Sequence, residues 1–121
     1  MSNVKQEPTI LTLSGRDYPL VLTFNVIDQL QEKYGSIDDA LQKSEKIGVL
    51  TNIIWMLVAE SAEIHNDNNP NDVWEIPTER KVGRMLNLGN VDEVNAALLA
   101  VFKLSLPSAD DGGAEKNAVT A

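Results

Sequence analysis

The sequence predicts an α+β domain, mainly α: an N-terminal β-hairpin followed by a bundle of about five helices. Three observations point there. TILTL (9–13) and YPLVL (18–22) are short apolar runs rich in β-branched and aliphatic residues, and they flank the Gly-containing SGRD (14–17), the pattern of a hairpin. From Thr23 onward the apolar residues recur at helical spacing. Between those segments, Gly, Ser, Thr, Asn and Pro stand where helices start and stop.

Residues 1–8 are polar, end in Pro8 and read as a flexible arm. One compact domain is expected over 9–106, with the hairpin at 9–22 and the helices at 23–106. Pro19 cannot donate to a ladder, so it belongs near a strand end or on an edge. Two strands alone are marginal in water. The hairpin must therefore lie on the helices or pair with another chain.

Thr23 is the expected N-cap of a first helix from Phe24 to Tyr34. Its stripe is Ile27, Leu30 and Tyr34, with Val26 at the flank, while Asn25, Asp28, Gln29 and Glu32 face away. Gly35 stops it in the left-handed conformation. Ser36, with Asp39 three residues on, opens a short second helix over about 37–43.

The third helix, about 46–65, contains IGVLTNIIWMLVA (47–59), thirteen positions without a formal charge. On a wheel, Leu50, Ile53, Leu57 and Ile64 cluster, and Ile47, Ile54 and Val58 lie beside them. Val49 and Met56 extend the arc on one flank and Trp55 on the other. Gly48, Asn52, Ala59 and Glu63 form the only polar or small stripe. Thirteen residues fall short of the roughly 20 that a bilayer requires, and Thr51 and Asn52 interrupt the run, so the expectation is no membrane. An arc this wide must be covered from more than one side, by its own domain or by a partner.

HNDNNPND (65–72) reads as an exposed loop. Thr78 caps a fourth helix over about 79–87, with Val82, Met85 and Leu86 inward and Gly89 ending it. Asn90, with Glu93 three residues on, caps a fifth whose stripe is Val91, Val94, Leu98, Val101 and Phe102, widened by Leu99 and Leu106. Pro107 closes the fold. The remainder, 107–121, lacks apolar periodicity and reads as a disordered tail.

Composition narrows the function. The chain has 121 residues, 43% of them hydrophobic, and only two Trp, two Tyr and two Phe, so the core must be aliphatic. It has no cysteine and a single histidine, His65. That removes disulfides, thiolate zinc sites and most His-based catalysis, and no cofactor is expected. A net charge of −8 opposes nucleic-acid binding. Arg80, Lys81 and Arg84 run against that trend, as a solvated basic face would. The N-terminus lacks the apolar core of a signal peptide, so a cytoplasmic protein is expected.

Sharper site readings fail on their own patterns. Asp67, Asn69 and Asn71 match the first three positions of a calcium loop, but Asp72 stands where Gly is required and Thr78 where Glu is required. His65 with Asp67 lacks a nucleophile or oxyanion hole in reach, and the dipole at a helix C-terminus accounts for a histidine there. No phosphate-binding Gly loop occurs, and the expectation is a non-enzyme. Trp55 and Met56 suit a core and suit a partner surface. Val49, Ile53, Trp55 and Met56 are the candidate partner-binding residues, beside an apolar groove that would take a partner helix.

LVLTFNVIDQLQEKYGSIDDAL (20–41) resembles the opening of tail assembly chaperones of long-tailed bacteriophages and prophages, and TILTLSGRDYP resembles the hairpin they often carry. The likeness covers residues 9–60 and contains no catalytic motif. It implies a non-catalytic protein of the host cytoplasm that binds the tape measure protein and keeps it soluble until tube protein assembles around it. The tail tube protein is a further possible partner and a homo-oligomer a possible state. Such chaperones are generally absent from the finished virion. Many are made in two lengths by a −1 ribosomal frameshift, and Glu115-Lys116-Asn117 can be encoded with the slippery heptamer A-AAA-AAY. Two other readings stay open: a structural tail or head–tail connector component, and an acidic regulatory or inhibitor partner.

Overall fold

The computed structural model describes residues 8–105. The arm over 1–7, Leu106, the tail over 107–121 and the Glu115–Asn117 codons lie outside them. The chain forms an antiparallel hairpin, β1 (Thr9–Leu13) and β2 (Arg16–Leu20), and then five helices. These are α1 (Phe24–Tyr34), α2 (Ile37–Lys43), α3 (Ile47–Asn68), α4 (Glu79–Met85) and α5 (Val91–Ser105). The α+β, mainly α architecture is as the sequence predicts.

The hairpin turn is tighter than SGRD implies. Ser14 and Gly15 alone make it, both at positive φ, 51° and 80°. Such a two-residue turn matches the twist of paired strands. It brings Arg16 opposite Leu13, and the register runs on through Leu11↔Tyr18 and Ile10↔Pro19. Hydrogen-bonded and open pairs alternate from the turn, so Pro19 falls on an open pair and its missing N–H faces the outer edge. Leu11, Leu13, Tyr18 and Leu20 alternate onto the buried face. That face lies on the helices, β2 against α3 and β1 against α5. Each buried side chain contributes about 1.5–3 kcal/mol, which two strands in water could not gather alone.

Helix starts follow local chemistry. The hydroxyl oxygens of Thr23, Ser36 and Thr78 accept from the N–H groups of Val26, Asp39 and Lys81, so α1, α2 and α4 are capped as expected. Gly35, at φ 101°, donates its N–H to Gln31 O and ends α1. Within α1 the buried residues are Val26, Leu30 and Tyr34. Ile27 is only partly covered, so the stripe is rotated by about one position from the expected one.

α3 is the central element, and it runs three residues past the expected end. The Asn69 amide donates to His65 O at 2.9 Å, satisfying a carbonyl of the last turn. By length and composition α3 could cross a membrane, yet half of its most apolar stretch is buried within this fold. Asn52, assigned to the polar stripe, is in fact buried, because α1 crosses that side and brings Tyr34 to it. Ile47 and Ile64, expected in the core arc, are exposed at the helix ends, beyond the neighbours that cover its middle.

α4 ends at Met85, four residues before Gly89. Asn90 explains why. Its Nδ2 donates to Met85 O, and its Oδ1 accepts from Asn87 N–H. Its side chain thus closes the turn behind it instead of capping α5. α5 buries Val94, Ala97, Leu98, Val101 and Phe102, while Leu99 points outward.

Candidate functional site

The four expected partner-binding residues do not form one surface. Ile53 is fully enclosed and Met56 is buried, so both belong to the core of this fold. Val49 and Trp55 pack against that core and are half-exposed. The Trp55 indole N–H donates to Pro77 O at 3.0 Å, tying α3 to the segment before α4. The recess beside Trp55 and Met56 holds about 340 Å³ and is lined by Asn25, Asp28, Gln29, Glu60 and Glu63. It is polar and acidic, not the expected apolar groove. The reason is that the polar face of α1 borders α3 there.

An apolar groove does exist, at the other end of α3. One hollow of about 260 Å³ is walled by Ile47 and Leu50 of α3, Leu86 and Leu88 of the α4–α5 turn, and Val91 of α5, with Gly83 of α4 also lining it. A second, about 410 Å³, shares Ile47, Leu50 and Val91 and extends to Leu41 and Leu99. Together they make a trough over the first turns of α3 and α5. Its rims are apolar and open: Leu88 is 90% exposed, Ile47 67% and Leu99 51%.

The rim is built rigidly. Gly89 N–H donates to Asn87 Oδ1 at 2.8 Å, and Asn87 N–H to Asn90 Oδ1 at 2.9 Å. Two asparagines therefore hold the turn from which Leu88 projects. The signal was present in NLGN, a leucine between turn residues, where no helix face exists to bury it.

A third feature lies along the loop after α3. The His65 ring stacks on Trp74 at 3.6 Å between centroids, with 8° between planes. Tyr18 meets the same indole edge-on at 5.7 Å, and the Arg16 guanidinium sits 4.6 Å from its centroid. Asn66 pairs with the Trp74 backbone in both directions: Nδ2 donates to Trp74 O at 3.0 Å, and Oδ1 accepts from Trp74 N–H at 2.7 Å. His65 Nε2 donates to Asp72 O at 2.7 Å. These contacts fasten the loop to the hairpin and define a structural role for His65. Asp67 falls within α3, not in a loop with Asn69 and Asn71. Among the described residues no group of three or more His, Asp or Glu side chains is placed to hold a metal ion.

No protein-family model, curated protein or solved structure matches the chain.

Proposed function

We propose that this chain is a non-catalytic assembly chaperone that shelters an apolar helical segment of a tape measure protein in the trough over Ile47, Leu50 and Val91. The observation that carries the reading is the open apolar rim, where Ile47, Leu88 and Leu99 stand exposed around a hollow that is itself aliphatic. Contiguous exposed apolar surface is disfavoured on a monomer without a binding role. A trough walled by helices suits the apolar face of an amphipathic helix, which offers anchors at i, i+3, i+4 and i+7. The net charge of −8 keeps such a complex soluble while its guest is sheltered. The resemblance of residues 9–60 to tail assembly chaperones supplies the guest. On this reading the protein acts in the host cytoplasm and leaves before the virion is complete.

The test is co-expression with an apolar tape measure segment, reading the soluble fraction of that segment. Ile47→Asp and Leu88→Asp change exposed side chains, so folding is retained, and the soluble guest should fall to its level without chaperone. Either an insoluble guest beside the unaltered chain, or both variants protecting as well as the parent, overturns the reading. Recovery of the chain from purified particles by mass spectrometry would favour a structural tail or connector component instead.

A further inference from the structure

We propose that the cleft between the β1–β2 turn and α4 binds a short acidic peptide segment of a partner protein, through Arg16, Lys81 and Arg84. This surface is separate from the apolar trough, and the inference does not depend on the chaperone reading. The cleft holds about 340 Å³, and three cationic side chains and one carboxylate, Glu75, line it over an apolar floor that includes Leu13 and Met85. In a chain of net charge −8, that concentration of positive charge has a local cause or a local use.

Pairing within the fold accounts for only one of the three cations. Lys81 Nζ lies 2.7 Å from Glu75 Oε1. That hydrogen bond, and secondarily the ammonium charge, hold the Glu75 carboxyl below the usual range. The cleft thus already demonstrates the chemistry it would offer a ligand, since it favours an ionised carboxylate. Arg16 and Arg84 have no carboxylate within salt-bridge distance among the described residues. Arg16 is fixed above the Trp74 ring, which spares much of the entropy lost when a long side chain is ordered. Guanidinium groups bind carboxylates through paired N–H donors, and a pre-oriented one does so best.

The size and the surrounding field decide which anion fits. A long polyphosphate would extend past the cleft, and the chain's net charge of −8 disfavours so many added negative charges. A peptide with two or three carboxylates and one apolar side chain matches the guanidinium groups and the floor together. Because the whole protein repels anions, binding of an acidic peptide must be local.

The experiment is an NMR titration of the full chain with a blocked pentapeptide of four acidic residues around one leucine. A basic peptide of the same length and inorganic phosphate serve as comparison ligands. At low salt the acidic peptide should shift the amides of Gly15, Lys81 and Arg84, and leave those of α1 unmoved. Arg84→Gln, an exposed change, should weaken binding about fivefold, and added salt should weaken it further. Arg16→Gln should do likewise, with Arg84→Gln deciding the matter if the first variant loosens the Trp74 stack. Absence of acidic-peptide binding overturns the proposal, as does equal binding of the basic peptide or insensitivity to Arg84→Gln. Phosphate binding as tightly as the peptide would overturn it too, by showing a simple anion hole.

Discussion

The Tyr34 hydroxyl donates to Asn52 Oδ1 at 2.7 Å, joining the last turn of α1 to the second turn of α3. Both side chains are buried, Asn52 with 4% and Tyr34 with 9% of its surface exposed. Removing the donor leaves a carbonyl oxygen in the interior without its partner, the more damaging half of a broken hydrogen bond. Tyr34→Phe should therefore lower unfolding free energy by about 1–3 kcal/mol, read from urea denaturation. Asn52→Leu combined with Tyr34→Phe removes both polar groups and should recover part of the loss. A double variant as unstable as the sum of the two singles would show that the pair is not coupled.

The same hydroxyl gives a pH dependence. Burial, and then the nearby Glu79 charge, raise the Tyr34 pKa above its ordinary value of about 10. The folded state thus retains the proton more tightly than the unfolded chain does. Its contribution is fully present below pH about 10 and is lost as the pH climbs through the folded value. Stability against urea should be flat with respect to this group at neutral pH and decline in alkaline solution. Tyr34→Phe, though less stable throughout, should lack that part of the decline. A parallel fall in both proteins would remove Tyr34 as its source.

What was legible in the sequence follows the distance over which each feature is decided. Thr23, Ser36 and Thr78 bond to an N–H three residues ahead, so a short window contains all the information. Gly35 is equally local. Asn90 has the same appearance as those caps, yet its side chain turns backward to Met85 and Asn87, because the turn behind it offers both an acceptor and a donor. The trough was half legible. Ile47, Leu50 and Val91 stood on apolar stripes, but a stripe does not say which of its turns a neighbour covers. Coverage depends on where α4 and α5 end, and so Ile53 proved enclosed while Ile47 proved open. The Trp74 stack unites residues of β2, α3 and a loop, and no periodicity encodes it.

Asn66 substitutes for a strand partner to Trp74, accepting from its N–H and donating to its carbonyl. Asn66→Ala removes both contacts at once, while the His65–Asp72 and Trp55–Pro77 hydrogen bonds of the segment remain. The cost should be about 1–2 kcal/mol, and amide exchange should accelerate across 70–77 while α5 stays protected. Asn66→Asp keeps the acceptor and loses the donor, so it should fall between. Loosening of α5 to the same degree as the loop would mean that Asn66 supports the whole fold and not this segment.

Gly83 separates stability from guest binding. It lies inside α4 and lines the trough, and a Cβ placed there would meet Thr51 Cγ2 at 3.6 Å, an ordinary contact. Glycine in a helix interior is disfavoured relative to alanine by about 0.5–1 kcal/mol, through its freedom in the unfolded chain. Gly83→Ala should therefore stabilise the protein by about that amount in urea denaturation, with little change in its contacts. Gly83→Leu gains similar helix propensity but fills the hollow between Leu50 and Leu86. It should remain folded and shelter an apolar guest segment less well, reducing the soluble guest in co-expression. If Gly83→Leu instead protects the guest as well as the parent does, the guest does not occupy this part of the trough.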